Sequence, residues 1–233
     1  LESDQLVAGK PAFIGGDKLT LAGGSYDLSG LALSGMDSLA FGAVDKLSLS
    51  GSLSFSGDAG ASKRIVVMSG NELEGSQGLT LDAATNDLVL SARRDVVLEG
   101  AVLRGSSEVT VHSMRNLNLV GSEVSASSLA TLKAAKEMYV DGLTFNQNLP
   151  KIVMEATTIR LANINFPANA AVNLNSLKGA IDGKYPNFGT NVSAAQQLGR
   201  VNFLNNVKAG GNLMHDRASF DQFGGNISIG KLR

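Results

Sequence analysis

The chain has 233 residues, a formal net charge of −1, 27 Gly, 4 Pro, and neither Cys nor Trp. At 43% hydrophobic and 18% charged it is too apolar for a disordered tail, and a charge this close to zero argues against a nucleic-acid binder, which needs a basic surface for phosphates. Without Cys there is no disulfide framework, thiol nucleophile or Cys-based zinc site, and no apolar run approaches the ~18 residues of a membrane span. Leu1 in place of an initiating Met predicts a piece of something longer, with no visible signal peptide.

Residues 1–16 read as an N-terminal lead-in or cap. An internal repeat follows. Tyr26-x-Leu28-x-Gly30 and Leu47-x-Leu49-x-Gly51 stand 21 residues apart. Leu31-x-Leu33 and Leu53-x-Phe55 follow them with a slip of one residue. Val66-x-Met68-x-Gly70 reads as a third copy. The step from Gly70 to Gly100 is too long for one coil. Residues 71–87 are therefore expected to bulge from the stack, with Leu79 and Leu81 in an extra strand.

From there the register is strict. Gly100, Gly121, Gly142 and Asn163 form one column at a shift of 21. Gly and Asn best tolerate positive φ, so the column predicts one recurring left-handed bend, with Gly30 and Gly51 as its earlier members. Before each bend stand Val96/Leu98, Leu117/Leu119, Met138/Val140 and Ile159/Leu161. After it stand Leu103, Val124, Phe145 and Phe166. A further set is Leu88/Leu90, Val109/Val111, Ala130/Leu132 and Ile152/Met154, the last displaced by one residue. Alternation with period two means strands with one buried face. The 21-residue register fades after about Leu177. Residues 182–189 read as turns, and 193–198 as a short helix capped by Ser193. Val201-x-Phe203 and Ile227-x-Ile229 read as strands. Asn rises from three in residues 1–116 to fifteen in 117–233, which suits stacked bends whose side chains bond the next coil.

Three short strands per ~21 residues, joined by tight bends, fit one coil of a parallel β-helix, whereas helical repeats need ~33 residues or more. The expected fold is all-β: a right-handed parallel β-helix, since crossovers between parallel strands favour that hand. It occupies residues 17–176, with the bulge at 71–87 and an irregular C-terminal cap or final coils over 177–233.

The Ser/Gly/Asn-rich coils and the leucine-x-leucine-x-glycine units (Leu47 to Gly51, Leu117 to Gly121) resemble the parallel β-helices of large secreted bacterial surface proteins. These are filamentous haemagglutinin-like and autotransporter adhesins. The resemblance implies an extracellular or cell-surface stalk, adhesin or exported scaffold. It transfers no site residue.

Few residues suggest chemistry. His112 should face outward beside Val111, and His215 sits in an expected loop. Neither lies in a His-x-x-x-His spacing. Asp27, Asp37, Asp45, Glu72 and Glu74 form no aligned acidic column of the kind paired-carboxylate hydrolysis would use. Asn191-Val192-Ser193 matches a glycosylation pattern that arises often by chance, and Phe145 and Phe166 read as stacked core. One charged column does emerge: Arg94, Arg115 and Lys136, spaced by 21, with Asp95, Asn116 and Glu137 beside them. Such a ladder could bind an acidic polysaccharide. Equally, interleaved carboxylates could make it a solvated, self-neutralised face.

The expectation is a non-enzymatic structural or adhesive module, with no cofactor and no metal. Its partners would be a polysaccharide or a host or neighbouring cell surface, with no nucleic acid and no membrane span. The rivals are a polysaccharide lyase or hydrolase of tailspike type and a scaffold that self-associates through its stack ends.

Overall fold

The computed structural model describes backbone and side chains for residues 46–54, 71–83 and 86–175; elsewhere it describes strands by their backbone pairing alone. The chain winds as a β-solenoid of stacked parallel strands, and among the described residues there is no helix. Through Thr144–Phe145 each coil gives one strand to each of three sheets; beyond it two of the sheets continue, and the middle one is extended by the single bridge Thr144–Asn165. One coil runs Val96–Glu99, Val102–Arg104, Glu108–Ser113; the next runs Asn116–Val120, Glu123–Ser125, Leu129–Ala134. The fully described part holds about five turns.

Alternation dictates these strands. On the first sheet Leu47, Leu73, Val96, Leu117, Met138 and Ile159 pair one above the other, and all are buried. The sheet after the bend stacks Leu53, Leu81, Leu103, Val124 and Phe145. Phe166 extends that column, its ring 5.7 Å from Phe145 at 19°. The last sheet stacks Leu88, Val109, Ala130, Ile152 and Val172, including the one-residue displacement at Ile152. The three columns meet in one core. Each buried Leu or Ile contributes about 1.5–3 kcal/mol, and no single coil could bury its own face.

The bends are left-handed. Positive φ occurs at Gly51 (80°), Gly100 (61°), Gly121 (57°), Gly142 (64°) and Asn163 (50°). Gly30 lies outside the described residues. Asn163 keeps the conformation with a side chain, and its Nδ2 donates to Asp141 Oδ1 at 2.6 Å.

Among the described residues of 71–87, those expected to bulge lie within the stack. Glu72–Gly75 and Thr80–Asp82 pair on both sides within their sheets, and Leu79 and Leu81 are buried. The coil departs from the motif because Gly75 stands where its neighbours carry Leu49 and Leu98. Leu79 fills that space, and a Cβ on Gly75 would lie 2.5 Å from its Cδ2. Val66-x-Met68 is likewise no third copy. Its strand, Arg64–Ser69, belongs to the last sheet and sets Ile65 beside Leu88 and Val67 beside Leu90. Tyr26 pairs with Leu49, two residues from the expected register.

At the ends the parallel pairing continues, as final coils would have it at the C-terminal side. Within 1–16, Gln5–Val7 and Ala12–Ile14 pair parallel with the following coil. Within 177–233, parallel pairing continues through Ala180–Lys184, Arg200–Asn205 and Ser219–Gln222. The expected helix over 193–198 is replaced by the strand Asn191–Gln196, which pairs on both sides. The expected turns at 182–189 include strand residues of Ala180–Lys184 and Asn187–Phe188.

At Gly121 a Cβ would meet nothing within 4 Å, so the constraint there is φ alone. Gly121→Val should lower unfolding stability by about 1–3 kcal/mol, and Gly121→Asn by clearly less, as Asn163 holds the same bend. Denaturant titration measures both; equal losses would contradict a left-handed requirement.

Candidate functional site

The charged column is real and lies at one corner of the coil, where the last sheet of one turn leads into the first sheet of the next. The corner residues are Arg93 and Arg94, then Met114 and Arg115, then Ala135 and Lys136, each pair between two strands. Backbone bonds tie the corners directly. Arg94 N–H donates to Asn71 O at 2.8 Å, Arg115 N–H to Arg94 O at 2.9 Å, and Lys136 N–H to Arg115 O at 2.8 Å. The 21-residue spacing of Arg94, Arg115 and Lys136 thus becomes a step of one strand spacing, ~4.8 Å.

A buried serine shapes the middle corner. Ser113 is 0% exposed. Its hydroxyl accepts from Arg115 N–H at 3.1 Å and can donate to the Asn116 carbonyl at 2.7 Å or to that of Arg94. Inward-facing residues beside corners are ordinarily small and apolar, as Ala92 and Ala134 are; nothing in the repeat singles out Ser113.

The three cations are not equivalent. Arg115 folds back along the stack, where its guanidinium makes a two-pronged contact with Asp95 of the coil before, Nε to Oδ1 at 2.7 Å. Glu72, one coil further, lies 3.9 Å from the same group. Asp95 also accepts from Asn116 N–H at 3.1 Å. The hydrogen bond from Arg115 holds the Asp95 carboxyl below its ordinary value; burial opposes this, and the charge of Arg115 and the Asn116 amide add to it. Asp95 reciprocally raises Arg115. Arg94 and Lys136 are exposed and form no ion pair among the described residues. Glu137, beside Lys136, pairs instead with Arg160 at 2.6 Å.

The other candidates are dispersed. His112 is half-buried in register between Ser91 and Lys133. His215 and Asp216 lie in the strand Val207–Asp216, not in a loop. Asp27 ends the strand Ser25–Asp27; Asp37 and Asp45 lie outside the described residues. Glu74 pairs with Lys46 at 2.6 Å. Among the described residues no three His, Asp or Glu side chains gather as a metal site.

The sequence reading missed Arg93 and Met114. Corner residues escape strand alternation, so two adjacent ones can both face solvent, and Met114 is 58% exposed. The chain matches no family model, no curated protein and no solved structure.

A depressed carboxylate stabilises the fold above its unfolded pKa and loses that contribution as pH falls through the folded value. Asp95→Asn should therefore lower Tm at pH 7, and the gap from wild type should close on acidification below pH ~4, the ordinary Asp range. Thermal melts at pH 7 and pH 2 test this; a gap of equal size at both would contradict it.

Proposed function

We propose that the chain is a non-enzymatic structural or adhesive β-solenoid module of a secreted or surface-exposed bacterial protein. The supporting observation is the unbroken buried column from Leu47 through Leu73, Val96, Leu117 and Met138 to Ile159. The regularity of the repeat goes into a core that recurs coil after coil, while the outward positions vary from rung to rung. Such a body is a rod. The five steps between Lys46–Ser50 and Thr158–Ala162 span about 24 Å. A rod of this kind holds flanking parts apart and presents outward side chains in rows. The resemblance to haemagglutinin-like and autotransporter adhesins supports the same reading.

A carbohydrate-active β-helix would draw on the basic column, and this is the rival to test. Its middle cation, Arg115, is engaged by Asp95, which weakens the case for a three-cation catalytic row. The deciding experiment incubates the chain with acidic and neutral polysaccharides and assays new reducing ends. None should appear. Release of chain ends above a heat-denatured control would overturn the module reading in favour of a lyase or hydrolase.

A further inference from the structure

Parallel stacking sets like on like, and among the described residues five of nine cations offset the resulting repulsion with a carboxylate. Lys46, Arg104, Arg115, Lys133 and Arg160 each reach a carboxylate on a neighbouring coil. Arg93, Arg94, Lys136 and Lys151 form no ion pair among the described residues. Three of those four share one corner. The carboxylates that follow them in sequence, Asp95 and Glu137, are engaged by Arg115 and Arg160.

We propose that this corner, Arg93 and Arg94 with Met114 and Lys136, is a docking ridge for a linear, carboxylate-bearing acidic polysaccharide laid along the solenoid axis. The proposal rests on the module reading and gives it a ligand class. The free cations sit two rungs apart, roughly 10 Å along the axis. Between them the middle rung presents Met114, 58% exposed, while Arg115 is folded away. An acidic glycan offers that alternation: carboxylates at intervals and sugar rings with apolar faces between. Guanidinium groups favour carboxylates through paired, planar hydrogen bonds, and a flexible thioether adapts to the face of a ring. A nucleic acid fits less well. Its strand carries a charge every ~3.4 Å, denser than three cations over two rungs can match, and the chain as a whole carries −1. Cations stacked without a carboxylate partner repel one another, and a polyanion would relieve that repulsion.

The test uses polygalacturonate and alginate as probes, with neutral dextran and single-stranded DNA as comparators, measured by affinity electrophoresis of the full chain. The ridge variant is Arg93→Ala/Arg94→Ala/Lys136→Ala. A variant with the same charge change elsewhere, Lys46→Ala/Lys151→Ala/Arg160→Ala, is the control, and circular dichroism checks that both fold. Polyuronate retention should weaken with salt, as charge contacts do. The ridge variant should lose it by about tenfold or more, and the control by much less. The proposal is overturned if polyuronates are not retained, if both variants weaken alike, or if DNA is retained more strongly. New reducing ends in the same samples would instead sink the module reading, leaving the variant comparison to decide the ridge.

Discussion

Parallel strands about 4.8 Å apart force every side chain against its counterpart from the coil before. That contact is the constraint on which the rest of the structure depends. Inside, it is favourable: Leu117 meets Val96 below and Met138 above, and each is fully or almost fully buried. The same step fixes the bends. Gly121 N–H donates to Asp141 O and Gly142 N–H to Ala162 O, so one left-handed corner templates the next. A residue that departs from the pattern on one rung draws on its surroundings, as the filling of the Gly75 gap by Leu79 of the same coil and Leu98 of the next illustrates.

Outside, the same stacking is unfavourable for charge. A repeated cation lies one rung from another, and at that distance like charges repel even beside water. The chain answers with pairs that cross rungs. Arg115 reaches back to Asp95, Lys133 forward to Glu155, and Arg160 back to Glu137. Exposed pairs of this kind contribute only about 0–1 kcal/mol each. Their importance is that they remove repulsion from rows that the fold cannot avoid making. At one corner they are missing: Arg93, Arg94 and Lys136 form no ion pair among the described residues.

Much of the fold was legible because the core repeats with the chain. Val96/Leu98 to Ile159/Leu161 and the Gly100 to Asn163 column could be phased from sequence, since alternation and positive φ each admit few residue types. Where several phases fit, the reading failed. Ile65, Val66, Val67 and Met68 are all apolar, so period two does not choose between them; pairing to Leu88 and Leu90 does. Gly75 hid a coil because its missing side chain is supplied by Leu79, outside the motif. Residues 193–198 carry helix-favouring Ala and Gln, and within them strand partners on both sides of Ser193–Ala195 override that local preference. The charged column was legible as a column, but the direction in which Arg115 folds depends on Asp95 and Glu72 in earlier coils. Spacing alone carries no such information.

The central claim is a stack that advances one strand spacing per coil. Ser48, Glu74, Val97, Asn118, Tyr139 and Arg160 form one outward row on successive rungs. The chain has no Cys, so paired spin labels can be placed cleanly at Ser48→Cys with Val97→Cys, Asn118→Cys or Arg160→Cys. Pulsed and continuous-wave electron paramagnetic resonance would read the three separations. They should follow rung number, at about 10, 14 and 24 Å between backbone positions. Separations much larger than one strand spacing per rung, or that do not increase from Val97 to Asn118 to Arg160, would contradict the stacked solenoid.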